Sequence, residues 1–325
     1  MDFRIFVEGL GRWIRFVDRE LELRQLDTLA HRGYAFPIAI YGSEGCGKST
    51  LLRYFVTMLK DRSDFVALYI DALESKDLSR AVISSHSEVW SVVEFLASTH
   101  VGEGLAEYIT SLLRKLHEKM SLRGKKLVIV LDDVYRAIGL ENVDRYTKLL
   151  YEWIEYLHRE LNVDSVLFLL TTSEGISKRI LSRHTYVHVY MVWSLPREGF
   201  EELVQQLSPS IDSDELWRLT GGNPRALIEL AQLDWDVEKW LSYLAERRVS
   251  SALRVVDRTR LELVLEDPDS DWEVAEKLEE LGLMMELSHA LVIGRAPEED
   301  RALGVGRRWA WQIPAYREAL KRLLS

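Results

Sequence analysis

The sequence predicts an α/β protein in which a parallel sheet carries helices on both faces, followed by a small helical domain and a C-terminal winged helix. Three observations carry this expectation. Apolar, β-branched runs recur at 37–41, 65–70, 127–131, 166–170 and 186–192, each between stretches of 3.6-residue periodicity, which is the βαβ pattern repeated. The runs are nearly continuous rather than alternating, so both faces of the sheet are expected to be covered by helices. After residue 192 the runs stop and short helical segments take over, punctuated by Pro209 and by Gly221-Gly222.

In order along the chain, the first predicted strand, 36–41, runs into Gly42-Ser43-Glu44-Gly45-Cys46-Gly47-Lys48-Ser49, and residues 49–55 leave it with helical spacing. A helical stretch from 88 to 120, broken near Gly102-Glu103-Gly104, separates the second and third strands. Helices are then predicted at 197–207, 213–219, 224–233 and 237–247, and a further amphipathic helix at 272–281. A strand candidate at 283–294, interrupted by Ser288-His289, and its return at 308–313 would make the wing, before a closing helix at 314–324. The expected domains are 1–195, 196–249 and 250–325.

The segment from Gly42 to Ser49 fits G-x-x-x-x-G-K-S, a phosphate loop in the strand, glycine turn, helix context that the chemistry needs. Glycines let backbone N–H groups close around a triphosphate, and the helix N-terminus adds positive potential. Lys48 would reach the β- and γ-phosphates, and the Ser49 hydroxyl would ligate Mg²⁺, with Thr50 next to it on the helix. A phosphate loop needs a carboxylate on a neighbouring strand, and 126–133 (Lys-Leu-Val-Ile-Val-Leu-Asp-Asp) ends in two. Asp132 would hold the metal, directly or through water, and Asp133 would orient or deprotonate the attacking water. An aspartate in that second position is shorter than glutamate, which favours slow hydrolysis. The next strand ends Thr171-Thr172-Ser173, where a hydroxyl can touch the γ-phosphate or the water; Thr172 is the first choice, with Thr171 and Ser173 behind it.

Composition sets bounds on the rest. The chain has 325 residues, 47% hydrophobic and 29% charged, as soluble globular proteins do. Its apolar runs are too short to span a bilayer and its first residues do not read as a signal peptide, so no membrane is expected. With one cysteine, Cys46, no intramolecular disulfide can form and a cytoplasmic location is expected. Eight Asn and Gln residues in all, beside 42 Lys and Arg, suggest a hot-environment source. The formal net charge of −10 gives no overall pull toward nucleic acid or anionic membranes.

The order of these motifs, followed by Leu219-Thr220-Gly221-Gly222-Asn223-Pro224-Arg225, resembles the archaeal ATPase family within the AAA+/STAND group of P-loop NTPases. The segment from Phe16 through Asp18-Arg19-Glu20 is similar to the family's Gly-Arg-Glu motif, with Asp18 in place of the usual glycine. The resemblance spans about 14 to 233. It implies an ASCE-type sheet of order 5-1-4-3-2, ATP or ADP as the nucleotide with Mg²⁺, and Arg225 as the sensor 2 arginine that reports the γ-phosphate from the lid. It also implies that Phe16, Arg19 and Pro224 border the adenine, and that Arg183, or Arg179, serves as an arginine finger.

Winged helices often bind DNA, but residues 250–325 hold eleven Lys and Arg against fifteen Asp and Glu, the wrong balance for phosphate neutralisation. A protein partner or self-association is favoured over DNA, although Arg295, Arg301, Arg307 and Arg308 gather at the wing. Trp272, Trp309 and Trp311 are expected to fill the small core. Two further readings stand beside a slow ATPase: a nucleotide-locked scaffold that hardly hydrolyses, and an initiator-like DNA-associated factor.

Overall fold

Among the described residues ten strands order the chain: an N-terminal pair β1 (Arg4–Val7) and β2 (Arg12–Arg15), six strands β3 (Ile38–Tyr41), β4 (Phe65–Asp71), β5 (Val82–Ser84), β6 (Lys126–Asp132), β7 (Ser165–Thr172) and β8 (His188–Met191), and a late pair β9 (Met284–Glu286) and β10 (Trp309–Trp311). The structure, a computed structural model, describes residues 3–73, 82–84, 122–172 and 175–325, together with 111, 112, 114, 115 and 118. The break expected at Gly102–Gly104, most of the helical stretch around it, and Ser173 lie outside these residues. The described helices are α1 (Glu20–Arg32), α2 (Lys48–Met58), α3 (Val134–Ile138), α4 (Val143–Leu161), α5 (Gly175–Leu181), α6 (Arg197–Leu207), α7 (Ser213–Thr220), α8 (Pro224–Gln232), α9 (Val237–Leu244), α10 (Ala252–Val255), α11 (Arg258–Glu266), α12 (Trp272–Glu280) and α13 (Pro314–Leu324). The chain divides into two units, one of Glu22–Tyr41 and Lys48–Tyr190, the other of Met1–Leu21, Gly42–Gly47 and Met191–Ser325. Among the described residues no helix is long and apolar enough to cross a membrane.

The six central strands form one mostly parallel sheet in the order β5-β4-β6-β7-β3-β8. Setting aside β5, which adds antiparallel to β4, the order is the expected 5-1-4-3-2. The sequence explains the layering: all eight residues of β7 and all four of β3 are buried, so neither strand has a solvent face. α4 covers one face with Val143, Tyr146, Leu150, Ile154, Leu157 and Leu161, spaced three and four apart. These pack with Ile129, Leu131, Phe168 and Leu170 in a single cluster, which fixes where the strand ends lie.

In the other unit, the helical segments after β8 and the C-terminal tail share one hydrophobic core, running from Ile14 through Phe200, Leu227, Trp240, Leu261 and Leu278 to Trp311 and Leu320. Trp309 and Trp311 are 2% and 1% exposed, as expected. Trp272 is not in this core: it is the first residue of α12 and 59% exposed, because the buried face of that helix is carried by Val274, Ala275 and Leu278. The strand expected over 283–294 is only three residues long. Trp309 pairs with Glu286 and Trp311 with Met284, and Val292 turns away to bridge Met191. The β1–β2 hairpin has no counterpart among the sequence expectations. It is held in part by Arg12, whose guanidinium donates to the carbonyls of Gln206 (3.4 Å) and Leu207 (3.1 Å) at the end of α6, where helical carbonyls lack partners.

Asp18, which stands where the family motif has glycine, adopts a left-handed φ of 42°, a region that favours glycine and tolerates aspartate. Its side chain is accommodated because residue 199 is glycine: a Cβ there would lie 2.5 Å from the Asp18 Cβ. Gly199→Ala is therefore expected to destabilise the fold. The crowding costs about 1–3 kcal/mol, more than the gain of up to about 1 kcal/mol for alanine over glycine in a helix. Denaturant unfolding measures the difference, and the double variant Gly199→Ala/Asp18→Gly is expected to recover most of it.

Candidate functional site

The phosphate loop begins where β3 ends and passes directly into α2, whose first residue is Lys48. Its shape depends on Gly45 and Gly47, at φ of 83° and 98°, and on a turn in which the Cys46 N–H donates to the Ser43 carbonyl at 3.2 Å. Arg19, 3% exposed, anchors the loop: its Nη2 donates to the Cys46 carbonyl (2.7 Å) and to the Trp193 carbonyl (3.0 Å). Arg19, which the resemblance implies borders the adenine, thus holds the loop backbone. Cys46 is fully buried and fills space, its Sγ 3.8 Å from the Val192 carbonyl oxygen.

The Gly-Gly-Asn-Pro-Arg motif is built to seat a helix on this loop. Gly221 and Gly222 take φ of 59° and 78° after α7. Asn223 then caps α8, its Oδ1 accepting from the Ala226 N–H at 3.1 Å, while its Nδ2 donates to the Glu44 carbonyl at 2.8 Å. Pro224 occupies the first helical position, where no N–H is required. The Arg225 N–H donates to the Gly45 carbonyl (3.3 Å), and its guanidinium donates to the Glu44 carboxylate (2.6 Å). The Glu44 N–H donates to Oε1 of Gln312 at 2.9 Å.

The acidic pair forms a separate hydrogen-bonded group in the sheet unit. Asp132, 2% exposed at the end of β6, accepts from the Tyr69 hydroxyl on one oxygen and from the Thr171 hydroxyl on the other (2.5 Å). The same Thr171 oxygen accepts the Asp133 N–H at 2.8 Å. Asp133 is held at a left-handed φ of 51° as the chain turns into α3. Burial, and then the charge of Asp132, push the Asp133 carboxyl above the usual carboxylate range, while Lys48 draws it down. Burial and the neighbouring Asp132 likewise push the Tyr69 phenol up, so it stays a donor.

Of the two strand-end threonines, Thr171 is the one whose hydroxyl holds the acidic pair. Thr172 is buried beside it, in register with Tyr41 on β3. Ser49 and Thr50 are half-buried in the first turn of α2, and Lys48 is buried. Phe16 sits edge-on to Phe3, with ring centroids 6.0 Å apart. Arg183 is exposed in the turn after α5, and Arg179 is half-buried on that helix. His184 faces Asp144 (3.2 Å), and His188 bonds the Tyr34 hydroxyl (2.7 Å). Sequence reasoning missed Tyr69, Gln312, Arg248 and Lys178, whose ammonium lies 4.8 Å from the centre of the Tyr41 ring. Tyr69 reads as strand filler, and no local signal marks the others.

A mostly parallel sheet of order 5-1-4-3-2, with a phosphate loop after its first strand and paired carboxylates ending the third, defines a P-loop nucleotide-binding ATPase fold of the AAA+ kind. Residues 16–230 match the family described as an ATPase domain predominantly from Archaea, and the chain belongs to that family. An uncharacterised ATP-binding protein of Methanocaldococcus jannaschii is 23% identical over 311 residues, 82% of each chain. Among solved structures, the ORC2 protein of Aeropyrum pernix, in ADPNP and ADP complexes, is similar at a TM-score of 0.42 and 15% identity, over 94% of this chain and 83% of that one. CDC6P of Pyrobaculum aerophilum gives 0.40 and 16%, over 94% and 80%. AMPPCP-bound DnaA of Aquifex aeolicus gives 0.41 and 18%, over 80% and 75%.

Proposed function

We propose that this protein is a slow, Mg²⁺-dependent ATPase of the AAA+/STAND type, whose nucleotide state repositions the helical lid (196–249) and the winged-helix segment (250–325). The observation that carries the reading is the Asp132–Thr171–Asp133 group at the sheet's strand ends, with Lys48 acting on Asp133. In this reading Lys48 and the loop N–H groups bind the β- and γ-phosphates. Arg225 contacts the γ-phosphate from the lid.

Asp132 and Ser49 fit a magnesium ion, since both are hard oxygen donors. Each Asp132 oxygen is fixed by one protein hydrogen bond and retains lone-pair capacity for a metal-bound water. The metal would neutralise charge on the phosphates. Asp133 then takes the proton of the attacking water, and its raised pKa makes it a better base than an ordinary carboxylate.

The test is Mg²⁺-dependent phosphate release from ATP by the purified chain, with Lys48→Ala beside it. Turnover in the parent that is lost in the variant supports the reading. Tight ATP binding without turnover in the parent would leave a nucleotide-locked scaffold instead.

A further inference from the structure

Glu44, the third residue of the phosphate loop, has its backbone and side chain taken by three later segments of the chain. Its carbonyl accepts from Asn223 and its N–H donates to Gln312. One carboxylate oxygen accepts from Arg225 Nη1 at 2.6 Å, and the other lies 4.0 Å from Nη1 of Arg248. Arg248 belongs to a π-helical turn, Ala245–Val249, that extends α9; such turns recur at functional sites.

Two features separate this cluster from a structural ion pair. The side chains of Glu44, Arg225 and Arg248 are 45%, 52% and 44% exposed, and pairs that open to water contribute little to stability and exchange readily. Two guanidinium groups also converge on the one Glu44 carboxylate. Around the buried Tyr316 the charges of Arg248, Glu44, Glu229 and Arg225 all register, so the four groups share one neighbourhood. A more highly charged anion with several oxygens satisfies two guanidinium groups better than one carboxylate does.

We propose that Arg248 is a second arginine that, with Arg225, contacts the terminal phosphate of a nucleoside triphosphate on the loop, and that the Glu44 carboxylate is the internal anion this phosphate displaces. The inference rests on the nucleotide reading above. It makes Arg248 a residue that discriminates triphosphate from diphosphate, and Glu44 a residue that weakens triphosphate binding.

Equilibrium titration with fluorescent ADP and with a fluorescent, non-hydrolysable ATP analogue tests this in the full chain. Arg248→Ala is expected to weaken the triphosphate about tenfold, one charge-assisted hydrogen bond's worth, and to leave the diphosphate within about twofold. Glu44→Gln is expected to tighten the triphosphate about threefold or more, and less so when Arg248 is also alanine. Diphosphate affinity serves as the control for folding. If Arg248→Ala changes both ligands equally, or neither, while Lys48→Ala abolishes both, the proposal is overturned and the nucleotide site stands. If Lys48→Ala leaves both affinities intact, the nucleotide reading falls and the proposal falls with it.

Discussion

Asp133→Asn is expected to lower ATP turnover by about 10²–10⁴-fold, the usual contribution of a positioned general base, while nucleotide affinity stays near that of the parent. The variant isolates the proton-accepting step because little else changes. Asn tolerates the left-handed φ of 51° as well as Asp does, and the backbone N–H still donates to Thr171. The parent should also show an acid limb. A carboxyl whose pKa is raised by burial and by Asp132 becomes protonated, and inactive as a base, at a pH above the ordinary carboxylate value. Turnover therefore falls as pH drops through that raised value, and the limb should be missing from the residual activity of Asp133→Asn. A pH–rate profile of both proteins checks this. A variant with unchanged turnover would remove Asp133 from the chemistry.

Thr171→Val carries the second large effect, and it acts on the fold as well as on the site. The lost hydroxyl is donor to one buried carboxylate and acceptor for one backbone N–H. Valine fills the same volume and supplies neither. Leaving buried polar groups unpaired costs about 1–3 kcal/mol each, more where one is charged, so a loss of about 3 kcal/mol is expected in denaturant unfolding. Thr171→Ser keeps the oxygen and should lose less than about 1 kcal/mol. Asp132 would also lose one of its two fixing hydrogen bonds, so the Mg²⁺ concentration for half-maximal turnover should rise in the valine variant and stay put in the serine one. Equal stability of all three proteins would mean that the hydroxyl does not hold the acidic pair.

What could be read from the sequence was local and chemical. The phosphate loop needs glycine where φ is positive, as at Gly45 and Gly47, and lysine and serine where the helix begins, so its pattern is compressed into eight residues. The strands that carry it are apolar throughout because they are covered on both sides, and that run is visible without any partner. What escaped was set by distance or by an ambiguous residue type. A tyrosine within Phe65–Asp71 reads as packing, yet its hydroxyl fixes a carboxylate 63 residues away. Gln312 reaches a loop N–H 268 residues distant, and no spacing rule connects the two. Two adjacent threonines at a strand end have the same chemistry and face opposite sides of the sheet, so sequence could not tell which of them holds the acidic pair. Trp272 looked like core because tryptophan usually is. At the first position of a helix whose apolar stripe starts two residues later, it faces out.

The most direct test of the central claim is the equilibrium affinity of the full chain for fluorescent ATP with Mg²⁺ present, measured for the parent and for Lys48→Ala. The account predicts saturable binding by the parent and a loss of at least about tenfold in the variant, since a buried ammonium at the helix start is the main cation for the β- and γ-phosphates. Equal affinity in the two proteins, or no binding by the parent, would contradict it.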